Sequence, residues 1–240
     1  MDNTSYIALS RQIALQNRMT VIAGNVANMT STGYKAEHLN FDALLVDADT
    51  PGDIGFVQDR GLMRDLSPGE LTTTGNPLDL AVDGPGYMSV QTPQGVAYTR
   101  DGHLSLNSFG ELVNADGDPV LDDGGAPIAI PAGGGEVSIA TDGTISTELG
   151  IAGRIQLVEF ADEQMMNRTG NNRYVTDQPA QPLEAPRVLQ GHLETSNVNP
   201  VLEMTEMMET LRAFQNTQKF IETHHDLVRR SVEQMLDAQA

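Results

Sequence analysis

The chain has 240 residues, 39% of them hydrophobic, no Trp, no Cys and a formal charge of −19. So acidic a balance argues against nucleic acid and against anionic membrane surfaces, and without Cys there is no disulfide framework or thiolate site. No apolar run approaches the ~20 residues of a membrane helix, and the start MDNTSYIALSRQ lacks the basic-then-apolar order of a cleavable secretory signal, so membrane insertion is not expected.

Charge and turn residues are unevenly spread. Residues 1–35 and 191–240 are near neutral and helix-like, whereas residues 36–190 carry −17 of the −19 and most of the Gly and Pro. The first zone predicts a helix from about Thr4 to Asn28. Leu15, Met19, Ile22, Val26 and Met29 follow one another at spacings of four and three, and Tyr6, Leu9 and Ile13 form an adjacent row. The helix runs into GNVANMTSTGYK. Gly33 can take positive φ there, and Lys35 would suit the negative end of the helix dipole. A helix stop needs one Gly or Asn; this stretch supplies many more polar residues than that.

The middle zone reads as antiparallel β structure. Short apolar runs alternate with turn signals at Asp83-Gly84, Asp101-Gly102, Phe109-Gly110, Asp116-Gly117 and Asp142-Gly143. Arg154 to Phe160 alternates strictly and predicts one strand. Residues 47–62 and 177–190 read as connectors. The last zone opens with Asn199 as helix cap and Pro200 at the first helical position, with Glu203 and Glu206 near the positive helix end. From Val201 onward there is no Gly or Pro. Met204, Met207, Leu211, Phe214, Gln218, Ile221, His225, Val228, Val232 and Met235 repeat at four and three. Such a helix would run about 60 Å, which predicts a coiled-coil partner, either another chain or the N-terminal helix.

Sites of chemistry are sparse. Asp116, Asp118, Asp122 and Asp123 cluster, but the EF-hand spacing is not met, and turn chemistry accounts for them. His224-His225 has no partner at zinc spacing. No G-x-S-x-G occurs, and no phosphate loop with its Lys. No catalytic residue, metal ligand or cofactor is expected. A secreted β-sandwich binding module oligomerised by its helices would need aromatic platforms; Tyr87, Tyr98 and Phe109 are the candidates. A cell-wall hydrolase would need paired acids in a cleft, and the acids here sit mostly in turns.

Several stretches resemble one family. Ala23-Gly24-Asn25-Val26-Ala27-Asn28-Met29-Thr30-Ser31-Thr32-Gly33-Tyr34-Lys35 resembles the A-N-N-[IL]-A-N-x-x-T-x-G-[FY]-[KR] motif of bacterial flagellar rod and hook proteins, with Gly24 where the family usually has Asn. Leu193-Glu194-Thr195-Ser196-Asn197-Val198-Asn199 is similar to the family's second motif. TGNPLDLAVDG from Thr74 and Tyr98-Thr99-Arg100-Asp101-Gly102 are similar to the start of its β-domain. Within the family the proximal-rod branch is the nearer likeness and the distal-rod branch the close rival.

The resemblance implies an α+β fold. Long N- and C-terminal helices would form a coiled-coil-like assembly domain around a β-rich antiparallel middle domain. The expected divisions are 1–35 for the N-terminal helix and motif, 36–190 for the β-rich middle with its connectors, and 191–240 for the C-terminal helix pairing with the first. It implies a structural subunit of the basal-body rod, assembling helically to transmit torque, and no enzyme. Its partners would be other rod subunits, proximal and distal, copies of itself, and the flagellar type III export apparatus that carries it to the periplasm without a cleaved signal. The assembly interface would comprise Leu15, Met19, Ile22, Asn25, Val26, Asn28, Thr30 and Gly33, then Ser196, Asn197, Val198 and Asn199, then Met204, Met207, Leu211, Phe214, Ile221 and Val228.

Overall fold

The computed structural model describes residues 3–46 and 54–237. The chain falls into two compact units. One gathers residues 1–27, 37–65 and 199–240; the other holds 28–36 and 66–198.

The first unit contains helix α1 (Asn3–Ala27), strands β1 (Glu37–Val46) and β2 (Ile54–Arg64), and helix α2 (Pro200–Asp237). α2 starts where Asn199 and Pro200 predict. The Asn199 side chain accepts from the amides of Val201 at 3.1 Å and Leu202 at 3.3 Å, and Pro200 occupies the first turn where its missing N–H costs nothing. α1 and α2 run antiparallel. Asn25 near the end of α1 meets Glu203 near the start of α2, Arg18 meets Glu206, and Ile7 and Ala8 line a groove with Thr217 and Phe220. β1 and β2 form one antiparallel hairpin with a bulge between Leu39 and Phe41. Of the expected connector 47–62, residues 47–53 lie outside the described residues, and 54–62 belong to β2.

Among the described residues the expected coiled-coil-like assembly domain is not evident. A coiled coil needs apolar side chains at the innermost positions of its repeat. On α2 the most deeply buried positions, spaced seven apart, are Glu203, Thr210 and Thr217. Met204 and Leu211, one residue further on, are 48% and 43% exposed. The expected stripe therefore splits. Its Met207, Phe214, Ile221 and Val228 are half-buried, while Met204, Leu211, Gln218 and His225 face outward. The helices also share their unit with the β1–β2 hairpin, which packs on α1. The fold remains α+β, with one helix at each end and strands between.

The second unit is antiparallel β throughout its described pairings. Its strands are β3 (Leu71–Thr73), β4 (Leu80–Val82), β5 (Tyr87–Thr92), β6 (Gly95–Thr99), β7 (Ser105–Leu106), β8 (Leu112–Val113), β9 (Ser138–Ile139), β10 (Thr144–Thr147), β11 (Gly150–Arg154), β12 (Leu157–Glu159), β13 (Asn167–Arg168), β14 (Arg173–Val175), β15 (Gln181–Pro182), β16 (Val188–Gln190) and β17 (His192–Glu194). The largest sheet has six strands in the order β13-β14-β6-β5-β12-β15. Two short ladders, β16 on β4 and β17 on β3, return the last strands to the first. Leu80, Met88, Val90, Leu104, Leu112, Val120, Ile128, Ile145 and Ile155 fill one core, and Tyr87, Val158, Phe160, Met166 and Tyr174 a second. Fully burying an aliphatic side chain of this kind stabilises by roughly 1.5–3 kcal/mol, so a modest apolar content suffices once it is concentrated.

The single strand expected from Arg154 to Phe160 is two. β11 pairs with β10, and β12 pairs with β5 and β15. Between them Ile155 is buried and the Gln156 amide donates to the Leu121 carbonyl at 3.0 Å. Leu157 enters the first core and Val158 and Phe160 the second, so both faces of β12 are covered.

Candidate assembly interface

The two motifs fold onto each other inside the second unit. The Gly33 amide donates to the Glu194 carbonyl at 2.8 Å, and the Asn197 amide to the Tyr34 carbonyl at 3.3 Å. The Ala36 amide donates to the Asn197 side-chain oxygen at 2.7 Å, while the Asn197 amide nitrogen donates to the Ser67 carbonyl at 3.1 Å. Tyr34, Ala36 and Val198 close a small apolar cluster beneath these bonds. Gly33 has φ of 65°, and a Cβ there would stand 2.5 Å from the Arg100 carbonyl oxygen. Position and contact both require glycine.

At the centre is a buried charge cluster. The Glu194 side chain is 2% exposed. One oxygen takes Lys35 Nζ at 2.7 Å and the Gly69 amide at 2.9 Å; the other takes Arg100 Nε at 3.0 Å. Lys35 Nζ also donates to the Ser67 carbonyl at 2.8 Å, and Arg100 to the carbonyls of Val82 and Gly84. Burial pushes the Glu194 carboxyl up, but Arg100, Lys35 and the Gly69 amide together outweigh it and hold the group below the usual carboxylate range. A third element completes the joint. In the turn between β13 and β14, Asn172 donates to the Thr32 carbonyl at 2.8 Å, and the Arg168 guanidinium lies 4.5 Å from the Tyr34 ring centroid.

In the first unit Asn25 acts as a clamp. Its side-chain oxygen accepts from the Glu37 amide at 3.0 Å, and its nitrogen donates to the Glu37 carbonyl at 2.8 Å and to Glu203 Oε1 at 3.1 Å. One side chain thereby fixes the start of β1 against the end of α1. Asn28 and Ser31 bond each other in the turn that follows.

The predicted interface residues are therefore spread over several environments. Ile22, Asn25, Gly33 and Val198 are buried. Leu15, Met19, Val26, Asn28, Ser196, Asn197, Met207, Phe214, Ile221 and Val228 are half-buried, and Thr30, Asn199, Met204 and Leu211 are exposed. The motif's polar side chains are joined to one another and to the backbone within one chain. Sequence reasoning missed Glu194, Arg100, Arg168 and Asn172, and assigned Lys35 to the helix dipole. α1 ends at Ala27, and Lys35 is instead the buried partner of Glu194. A usable signal existed, since Lys35 is one of only two lysines in a strongly acidic chain.

The acidic turns use their carboxylates as acceptors. Asp122 takes the amides of Gly124 and Ala126, Asn114 takes those of Asp116 and Asp118, and Asp118 pairs with Arg173. Among the described residues no group of His and acidic side chains has the arrangement of a metal site. Of the aromatic candidates, Tyr87 is buried, Tyr98 packs on Phe160, and Phe109 alone stands out at 84% exposure.

Comparison with known proteins follows the same joint. Residues 6–35 match the family model for the flagella basal body rod protein, 81–147 that for the flagellar hook protein FlgE/F/G D1 domain, and 189–236 that for the flagellar basal body rod FlgEFG protein C-terminal. The flagellar basal-body rod protein FlgF of Caulobacter vibrioides is 38% identical, with 98% of both chains covered. The chain belongs to the flagellar basal-body rod family. FlgF of Mesorhizobium japonicum is 37% identical over 90% of this chain and 91% of its own. FlgG of Bacillus subtilis is 31% identical over 95% and 97%, which makes FlgG the close rival of FlgF as the nearer branch. This rod protein is a structural subunit of the flagellar basal body, and a secreted binding module is not favoured. Among its described residues no helix is long and apolar enough to cross a membrane.

Proposed function

We propose that this subunit lies in the proximal rod and meets its neighbours through the outward faces of α1 and α2. The observation that carries the reading is the inverted face of α2. Polar Glu203, Thr210 and Thr217 are buried, while Val201, Leu202, Met204, Met208 and Leu211 are exposed over the rest of the surface of the same stretch. On α1, Tyr6, Leu9 and Ile13 are likewise exposed. A row of large apolar side chains held in water is costly to leave uncovered. A rod grows by head-to-tail contacts that do not close, and repetition of one such row along the axis spreads torque over many interfaces.

On this reading the buried members of the motifs, Asn25, Gly33 and Val198, with the half-buried Asn197, set the geometry of the joint, and the exposed members make the contacts. Thr30 and Asn199 stand beside the joint and belong to the contact set, as do the half-buried Leu15, Met19, Met207 and Phe214. The role is structural and not catalytic. The subunit reaches the periplasm through the flagellar type III apparatus without a cleaved signal, and its partners are the other rod proteins. Electron microscopy of basal bodies from cells lacking this subunit tests the placement. Structures that stop within the proximal rod are expected; a complete proximal rod lacking only its distal part would assign the subunit to the distal rod instead.

A further inference from the structure

α2 carries an acid where its packing face most needs an apolar or neutral residue. Glu203 is 5% exposed at the place where α1, β1 and the first turns of α2 meet. Its Oε1 accepts from Asn25 Nδ2 at 3.1 Å. Its Oε2 is buried and has no hydrogen-bond partner among the described residues. The charged and titratable groups that face it are Arg18 from α1, His38 from β1 and Glu206 on α2. Arg18 is engaged by Glu206 at 3.2 Å in a half-exposed pair, and neither it nor His38 bonds Glu203. Asn25 does not serve the second oxygen, because its two Nδ2 hydrogens go to the Glu37 carbonyl and to Oε1.

We infer that Glu203 is a proton-sensitive brake on the α1–β1–α2 junction: ionised it loosens the junction, and protonated it lets the junction close. An ionised carboxylate with one buried, unpartnered oxygen keeps a large desolvation penalty, whereas the neutral acid keeps a much smaller one. Burial accordingly pushes the Glu203 carboxyl above its usual range, against the smaller downward pull of the Asn25 bond, His38 and Arg18. The helix dipole near the start of α2 favours the charge but does not outweigh burial. The sign follows from linkage. A carboxyl raised on folding means that the folded junction binds the proton more tightly than the unfolded chain. Junction stability is therefore greatest in mild acid and falls as pH rises from the ordinary carboxylate range to the raised value. Glu194, held low in the other unit, has the opposite sign, so acid should tighten the helix junction while it weakens the motif joint.

The test is amide hydrogen exchange of the full chain across pH 4 to 8, corrected for intrinsic rates, on wild type, Glu203→Gln and Glu206→Gln. In wild type, protection of α1 and the first half of α2 should rise on acidification while protection around residues 33–36 and 194–197 falls. In Glu203→Gln, protection at neutral pH should rise about fivefold, the lower end of what relieving an unsatisfied buried group brings, and the dependence on pH in the helices should flatten. Glu206→Gln, altering an exposed paired acid, should keep the wild-type slope. Urea unfolding followed by far-UV circular dichroism serves as a second measurement should exchange at the junction prove too fast. The inference is overturned if Glu203→Gln lowers helix protection at neutral pH, or if it leaves the wild-type pH slope in place.

Discussion

Lys35 and Glu194 stand 159 positions apart and meet at 2.7 Å, with side chains 1% and 2% exposed. One belongs to the N-terminal motif and the other to the C-terminal motif. Each is worthless alone in that position, since a buried charge without its partner keeps its full desolvation penalty. The pair, with Arg100 on the second carboxylate oxygen, couples the two motifs to the β core within the second unit. Glu194→Gln should therefore lower the stability of the β-rich unit by about 3 kcal/mol or more, read as a shift in the urea midpoint. Joint replacement of Lys35 by Met and Glu194 by Leu should cost less than the two single changes added together. Strict additivity would mean that the ion pair does not hold the joint.

The same pair sets an acid limit. Because the Glu194 carboxyl is held below its usual range, its contribution is present above that range and is lost as pH falls through the folded value. Thermal unfolding of the β-rich unit should show a steep loss below about pH 4, near the ordinary carboxylate value. Glu194→Gln should show a shallower one. Equal slopes in both proteins would remove Glu194 from the acid response.

Gly33 is the position in the motif where substitution should be least tolerated for its size. An alanine there combines positive φ with overlap on the Arg100 carbonyl. Gly33→Ala should lose roughly 2 kcal/mol or more, about 1–2 of it from the left-handed backbone alone. An unchanged urea midpoint would mean that the turn relaxes freely, and the joint would then not depend on close approach.

Asn25→Ala should free the start of β1. It removes the two bonds to the Glu37 backbone and the bond to Glu203. The Glu37 amide should exchange faster and the helix-containing unit should lose about 2 kcal/mol, the cost of stranding buried backbone groups. Protection of Glu37 at the wild-type level would show that β1 is held by the hairpin alone.

Much of this fold was legible in the chain, and the misses share a cause. Asn199-Pro200 marks the start of α2 because capping is local chemistry that needs no knowledge of the rest. The Asp-Gly turns and the acceptor roles of Asp122 and Asn114 are local in the same way. The orientation of α2 was not legible. Met204/Leu211 and Met207/Phe214 form two apolar rows three positions apart, and nothing in the periodicity says which row faces α1. The outcome, with Glu203, Thr210 and Thr217 innermost, runs against the hydrophobic pattern itself. Residues 54–62 of β2 read as part of a connector because the strand carries charged and polar residues within IGFVQDRGLMR. The Lys35–Glu194 pair was invisible for a different reason. A contact across so long a stretch leaves no trace in spacing, and the same Lys is equally compatible with a helix end.

Leu211 tests the account of assembly most directly. It is 43% exposed within the subunit and lies on the apolar row that we assign to neighbouring subunits. Leu211→Asp should leave the purified subunit's urea midpoint within about 0.5 kcal/mol of wild type, as surface changes usually do. The same variant, as the sole copy in cells, should abolish swimming in soft agar and leave basal bodies without a completed rod, because association would bury an unpaired carboxylate. Lys219→Glu, which exchanges one exposed charge on α2 for another and buries no new carboxylate in an apolar contact, should swim normally. Cells carrying Leu211→Asp that build complete rods and swim would contradict the assignment of this face.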